Sequence, residues 1–336
     1  MREKTTSSLI PNGPDWHVTG LEDDVRERMF ATADAGETFA LATIIAANGG
    51  PRPVGSQMVV TRAESWGFLS GGCIEADVAL NAREVIRDGE PRILVYGEGS
   101  PFIDIRLPCG GRIDVAIERI PPGDAALANL RALTLARQPA LWVSNGTSRV
   151  CASADEENRA VTGCISRRFD PELRLAVVGR DPFGLAIAGL GRTLGWQTIL
   201  LSPFGPDGEP PFGVLCDRRP LAASLEALSP DPWTAIAIAT HDPDLDHKAL
   251  LVALVSRAGY VGVLGSRRKL DKRLAALKAA GLSDHEIARL HAPIGVPIDA
   301  RSPFEVAVAV AAEIIESSRS MATPRTGKRR ALHVAL

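Results

Sequence analysis

Residues 174–184 read Arg-Leu-Ala-Val-Val-Gly-Arg-Asp-Pro-Phe-Gly, and this stretch decides the fold of the second half of the chain. A strand-like apolar run ends at Gly179, a helical pattern follows to Gly195, and a second apolar run covers residues 197–201. Further strand-like runs at 234–239 and 260–264 alternate with helical segments. Strands that alternate with helices predict a parallel sheet, here a Rossmann-like domain.

The turn after Gly179 departs from the pattern of dinucleotide-binding domains. A G-x-G-x-x-G fingerprint starting there needs glycine at position 181, which is Asp181. Asp followed by Pro favours an N-cap, so we expect this carboxylate to fill the anion site of the helix with its own charge. The second strand runs into Ser202, where a ribose-binding acid is expected. These features argue against NAD(P), although an NAD(P)-dependent oxidoreductase with His241 as proton donor stays an alternative.

Two cysteines lie beside paired glycines in the first third of the chain. Gly-Gly allows a close approach of the backbone to a ligand, and a thiol is a soft nucleophile or metal ligand. A lone cysteine can equally be a small buried hydrophobe, and Gly-Gly can be a simple turn. Because two such elements occur and no CxxC spacing suggests structural zinc, we interpret them as a candidate cofactor site. They are Gly71-Gly72-Cys73 in SGGCIEADV and Cys109-Gly110-Gly111 in RLPCGGRID.

Apolar residues recur at helical spacing from Ile74 to Gly89, so the sequence places Cys73 at a helix N-terminus. Unpaired N–H groups at such a position favour an anion. Glu75 falls in the first turn, where it either stabilises the helix or accepts a hydrogen bond from a ligand.

The strand pattern and composition divide the chain into four parts. They predict an α/β protein with a mixed sheet in the first domain and a parallel Rossmann-like sheet in the second. The segments are a mobile N-terminus (1–16), a cofactor domain (17–168) that includes a strand at 103–107, a Rossmann-like domain (169–316) and a basic, disordered tail (317–336).

Polar clusters follow two neighbouring strands of the second domain. Thr240-His241 ends one strand and Gly265-Ser266-Arg267-Arg268 the next, at the edge where open α/β sheets bind ligands. His241 either contacts a ligand or bonds Asp242. Arg267 and Arg268 suit a phosphate or carboxylate, but they also fit a solvated helix face.

Composition excludes several function classes. The formal net charge of −2 gives no general reason to bind nucleic acid or an anionic membrane. The five cysteines are scattered and follow no signal peptide, and every apolar run is too short to cross a bilayer. We therefore expect a cytoplasmic protein with free thiols, without nucleic-acid or membrane partners.

The motifs together resemble the xanthine dehydrogenase accessory factor family (XdhC/CoxI). In the first half these are SGGCIEADV and CGG, and in the second half THDPDLDHKAL, AGYVGVLGSRR, GLSDHEIARLHAPIG and SPFEVAVAVAAEII. The chain departs from the family pattern at Asp181 and at Val296-Pro297-Ile298-Asp299.

The resemblance implies an accessory protein, a chaperone rather than an enzyme. Such a factor binds the molybdenum cofactor (molybdopterin), helps it to acquire sulfur from a cysteine desulfurase, and delivers it to a xanthine dehydrogenase-type molybdoenzyme. It also implies a homodimer. Cys73 and Cys109 would then be metal ligands or sulfur carriers, with the paired glycines, Glu75, His241, Arg267 and Arg268 as further cofactor contacts. A docking scaffold that does not bind the cofactor is a third hypothesis.

Overall fold

The chain forms two compact units, Met1–Pro171 and Glu172–Leu336. The computed structural model describes residues 21, 23–49, 52–100, 107, 110–154, 165–203 and 205–322, except for the side chains of 267 and 319–322. The expected mobile N-terminus, Cys109, and the predicted strand at 103–107 apart from Leu107 lie outside these ranges.

The first unit is built on a five-stranded sheet in the order β3-β2-β1-β5-β4. Its strands are β1 (Phe39–Asn48), β2 (Gln57–Val60), β3 (Ser65–Gly67), β4 (Arg92–Gly97) and β5 (Arg112–Ile120). A second sheet, in the order β7-β6-β8, contains β6 (Ala140–Ser144), β7 (Arg149–Ser153) and β8 (Ile165–Phe169). The helices are α1 (Arg26–Asp34), α2 (Glu75–Asp88) and α3 (Ala125–Leu135).

Strand β1 is buried on both faces, as its apolar run predicts. Ala42 and Ile44 join a core with Val78 and Val85 of α2, whereas Leu41 packs in a second core with Trp142. Alternation of side chains along the strand sends neighbouring residues into these two cores.

The α/β class of the first unit is confirmed, but its strand pairs are antiparallel where the sequence predicted a mixed sheet. Short connections join β1 to β2 and β2 to β3, which favours antiparallel neighbours. Helix α2 then carries the chain from β3 at one edge of the sheet to β4 at the other edge. Strands β3 and β4 therefore never pair, and no parallel ladder arises between them.

The second unit has a six-stranded parallel sheet in the order β11-β10-β9-β12-β13-β14, which confirms the Rossmann-like prediction. Its strands are β9 (Arg174–Val178), β10 (Gln197–Leu201), β11 (Leu215–Asp217), β12 (Thr234–Ile238), β13 (Tyr260–Val263) and β14 (Leu290–His291). Its α-helices are α4 (Pro182–Thr193), α5 (Leu221–Leu228), α6 (Pro243–Val255), α7 (Leu270–Ala279), α8 (Asp284–Ile287) and α9 (Pro303–Ala322), with 3₁₀ helices at Pro211–Gly213 and Arg267–Lys269.

Helix α9 closes the second unit and includes residues 317–322, which the sequence assigned to a disordered tail. Its Glu313 carboxylate accepts hydrogen bonds from the Tyr260 hydroxyl (2.6 Å) and the Gly295 N–H (2.7 Å) and lies 3.0 Å from Nδ1 of His291. Burial opposes the charge of Glu313, yet these hydrogen bonds hold its pKa below the usual value. The helix thus continues past the expected boundary through the polar residues 316–320, and Glu313 links α9 to β13 and to the loop after β14.

Candidate functional site

Several glycine-containing loops of the first unit lie at the same end of the strands of the five-stranded sheet. Strands β1, β3 and β4 run in one direction and β5 in the other, and both Asn48 and Gly97 pair with Arg112. The ends of β1, β3 and β4 and the start of β5 therefore point to the same side of the sheet, along the line where these strands end. We call the loops there the glycine edge: residues 48–49, 68–74, 97–98 and 110–111.

The loop from Leu69 to Ile74 is held by the carboxylate of Glu75. One oxygen, Oε1, accepts the N–H groups of Leu69 (3.0 Å) and Ser70 (2.6 Å). The other, Oε2, accepts the Ser70 hydroxyl (2.9 Å) and the Ile74 N–H (3.2 Å). Since both oxygens are engaged, Glu75 shapes the loop, and this is the role through which it would serve a ligand.

Cys73 lies on this loop with an exposed side chain. Helix α2 begins at Glu75 with Ile74 as N-cap, so Cys73 comes one residue before the cap. Its N–H donates to the Ser70 hydroxyl (3.1 Å), which fixes the backbone beneath the thiol. Within the described ranges, no cluster of three or more His, Cys, Asp or Glu side chains is arranged to hold a metal ion. Cys109, the second predicted ligand, lies outside those ranges.

The glycines of this edge divide into open and packed positions. A Cβ added to Gly71, Gly72 or Gly110 would meet no atom of the described residues within 4 Å, apart from the immediate neighbours in the chain. A Cβ on Gly111 would instead lie 2.3 Å from the carbonyl oxygen of Asn48, and one on Gly97 only 1.9 Å from that of Gly111. Gly111 therefore allows backbone segments to pack, whereas Gly71 and Gly72 leave the backbone beside Cys73 accessible.

Cys73 and Cys151 should differ sharply in reactivity. Burial raises the pKa of the Cys151 thiol to about 11, whereas Cys73 is exposed. Because the thiolate is the reactive form, we expect iodoacetamide to modify Cys73 at least about tenfold faster in the folded protein. Time-resolved peptide mass mapping measures both rates, with urea-unfolded protein as the control in which they converge. Equal rates in the folded protein would contradict the described loop.

In the second unit, the turn after β9 has glycine at the first and third glycine positions of a dinucleotide-binding fingerprint, Gly179 and Gly184, and both are packed against backbone. A Cβ on Gly179 would lie 1.9 Å from the carbonyl oxygen of Ala239, and one on Gly184 would lie 3.3 Å from the carbonyl carbon of Gly179. Between them, Oδ1 of Asp181 caps α4 by accepting the Gly184 N–H (2.8 Å). The carboxylate thus takes the helix N-terminus that a pyrophosphate would need.

His241 contacts this carboxylate, not Asp242 as one interpretation of the sequence held. Its Nε2 lies 3.3 Å from Oδ2 of Asp181, and its side chain is 70% exposed. Asp242 instead caps α6, accepting the N–H groups of Asp244 and Leu245. His241 and Asp181 therefore form a polar pair above the ends of β9 and β12.

Arg267 and Arg268 lie in the 3₁₀ helix after β13, and the Arg268 side chain is exposed. The pocket beside them is lined by Lys269 and Arg273, which sequence reasoning missed. Arg273 donates to buried Asp246 (2.9 Å), whose other oxygen accepts the Thr240 hydroxyl (2.6 Å). The sequence shows Arg273 as a basic residue in the helix that follows, but only the fold shows that it pairs with Asp246.

Two family models match the chain in order. Residues 32–97 match the XdhC and CoxI family, and residues 175–314 match the XdhC Rossmann domain. Within the described part of the chain, no helix has both the length and the apolar character needed to cross a membrane.

Similar proteins cover nearly the whole chain. The molybdenum cofactor insertion chaperone PaoD of Escherichia coli K12 is 31% identical over 315 residues, or 91% of this chain and 93% of PaoD. A probable xanthine dehydrogenase subunit of Bacillus subtilis 168 is 26% identical over 326 residues, or 85% of this chain and 95% of that protein. A crystal structure described as a xanthine dehydrogenase from Bacillus halodurans shares the fold, with a TM-score of 0.71 and 21% identity over 89% of this chain and 98% of its own. The glycine-flanked Cys73 loop, the Rossmann-like second unit and these similarities together show that the chain belongs to the XdhC and CoxI family.

Proposed function

We propose that this protein is a maturation factor that binds the molybdenum cofactor transiently and hands it to a xanthine dehydrogenase-type apoenzyme. The observation that carries the proposal is the exposed Cys73 thiol on a glycine-lined loop, held by Glu75, in a chain 31% identical to an insertion chaperone. The proposed role requires binding and release rather than turnover.

The chemistry of the cargo fits the glycine edge. The cofactor combines a soft metal bound by sulfur, a flat pterin and a phosphate group. A thiolate is a suitable ligand for a soft metal, so Cys73 would contact the metal or carry the sulfur that it receives. Gly71, Gly72 and Gly110 have no side chain, and no described residue beyond their chain neighbours has an atom within 4 Å of an added Cβ, so a flat ring can approach the backbone there. Cys109 precedes Gly110 in the chain, and we propose it as the second sulfur ligand.

The second unit would supply polar contacts rather than a nucleotide site. The exposed Arg268 beside the Lys269 and Arg273 pocket is the proposed contact for an anionic group, together with Arg267. His241 is its neighbour along the carboxyl edge of the sheet. NAD(P) is not part of this proposal, because the Asp181 carboxylate lies where the pyrophosphate would bind.

The proposal extends to the partners. A cysteine desulfurase would supply the terminal sulfur of the cofactor, the molybdoenzyme would receive the product, and the factor would act in the cytoplasm as a homodimer. The exposed thiol of Cys73 can receive such a sulfur as a persulfide, because attack of a thiolate on a desulfurase persulfide transfers the outer sulfur and leaves a desulfurase thiolate.

Activation of an apoenzyme tests the function. Xanthine dehydrogenase apoenzyme is mixed with limiting molybdenum cofactor, with and without this protein, and its rate of activation is followed by xanthine oxidation. We expect the wild type to raise the activation rate and Cys73→Ala to reduce that gain about tenfold, a loss of about 1.4 kcal/mol in transfer.

Cys216→Ala is the matched control, because Cys216 is part-exposed but lies on β11 of the second unit. It should activate the apoenzyme as the wild type does. An apoenzyme that gains activity equally with and without the factor would overturn the proposed function.

A further inference from the structure

Arg167 of the first unit forms no ion pair with an acidic side chain among the described residues, unlike three arginines near it. Three arginine–aspartate ion pairs lie close to it in the fold: Arg26 with Asp24, Arg52 with Asp23, and Arg168 with Asp170. Arg167, on β8, forms no ion pair or hydrogen bond within the described part of the chain. Since Asp23, Asp24 and Asp170 each neutralise another arginine, the described residues of this cluster carry one positive charge more than they carry negative charges.

The surroundings of Arg167 hold its guanidinium in a fixed position. The group lies over the ring of Phe169, 5.4 Å from the ring centre. On another side, a Cβ added to Gly55 would lie 2.9 Å from Nη1, so the loop before β2 approaches the guanidinium at a residue without a side chain. Nε is buried, and none of the residues that the structure describes accepts a hydrogen bond from it.

This arrangement costs free energy in the unliganded protein. A buried donor without an acceptor is destabilising, because it has lost its hydrogen bond to water. Burial also lowers the pKa of Arg167, although the nearby aspartates oppose that shift. A part-buried guanidinium whose neighbouring carboxylates are each paired with another arginine is a feature of binding sites, where a ligand supplies the missing charge.

We propose that Arg167 is the anchor of a binding site for a singly charged oxyanion, a group that offers two oxygens to one guanidinium. One negative charge balances the single uncompensated positive charge of the cluster. A guanidinium binds the paired oxygens of a carboxylate or a phosphate through two parallel hydrogen bonds. The site is independent of the cofactor proposal, since it uses none of the residues at the glycine edge.

Anion-dependent thermal unfolding of the full chain tests this site. Formate and inorganic phosphate are titrated separately against chloride at constant ionic strength, so that general screening stays equal. We expect one of them to raise the midpoint temperature of the wild type in a saturable way. A response to formate alone identifies a carboxylate ligand, and a response to phosphate alone or to both identifies a phosphate-type ligand.

Arg167→Met is compared with Arg119→Met, which removes an exposed arginine of strand β5 and leaves the three ion pairs of the cluster intact. Without added anion, Arg167→Met should unfold at the same or a higher temperature than the wild type, because it removes a buried unpaired charge. It should also lose the saturable shift, which Arg119→Met should keep. The proposal is overturned if neither anion gives a saturable shift in the wild type, or if Arg167→Met keeps the shift. It is equally overturned if Arg167→Met unfolds well below Arg119→Met, since Arg167 would then be a structural residue.

Discussion

Replacing Arg149 by methionine is expected to lower the free energy of unfolding by about 3–5 kcal/mol. The Glu118 carboxylate is fully buried, and Nε of Arg149 donates to it at 2.9 Å. Trp142 and Ser144 also donate to Glu118, but both are neutral. Without Arg149, this buried negative charge would keep, among the described side chains, the two hydrogen bonds from Trp142 and Ser144. Urea unfolding followed by far-UV circular dichroism measures the change, if the first unit unfolds in one step.

The double variant Glu118→Gln/Arg149→Met is the control for this prediction. It removes Arg149 together with the fully buried Glu118 charge and leaves Asp124, which also pairs with Arg149 but keeps its hydrogen bond from the Leu127 N–H. It should therefore recover part of the stability that the single variant loses. Arg168→Met, which removes a part-exposed arginine paired with Asp170, should lose much less. A loss below about 1 kcal/mol for Arg149→Met would show that the buried pair does not stabilise the first unit.

The fold was predictable where short-range signals, such as apolar runs, turn residues and helix caps, determine the local structure. The run that ends at Gly179 with the Asp181–Pro182 cap gave the strand, the turn and the start of α4 at their observed places. The capping box at Ser283 and Glu286 is present as its spacing predicts. The prediction of a mixed sheet was wrong. The pairing of β4 depends on which edge of the sheet the chain reaches after α2, and the apolar periodicity of a helix does not show that position.

The candidate site was predictable in its residue types but not in its connections. The glycines and Cys73 marked the loop, yet nothing local shows that Glu75 engages both of its oxygens in holding that loop. The local pattern likewise gave His241 no reason to prefer Asp181 over its neighbour Asp242. Contacts such as Arg273 with Asp246 join residues far apart in the chain, so only the folded sheet reveals them.

The second large effect concerns cofactor retention by Cys73→Ala. If the thiol contacts the metal or carries its sulfur, alanine removes the soft ligand and leaves the Glu75-held loop in place. We expect retention to fall by at least about tenfold, equal to about 1.4 kcal/mol of binding free energy. The fold should be unaffected, because Cys73 is exposed and its N–H, not its thiol, makes the bond to Ser70.

The most direct test mixes the purified protein anaerobically with molybdenum cofactor released from a donor enzyme, and measures molybdenum and pterin fluorescence that co-elute with the protein. Cys73→Ala, Cys109→Ala and their double variant are compared with wild type and with Cys216→Ala. The account predicts stoichiometric retention by wild type and Cys216→Ala, and a strong loss in the Cys73 and double variants. Folded wild-type protein that retains no cofactor, or a double variant that retains it fully, would contradict the account.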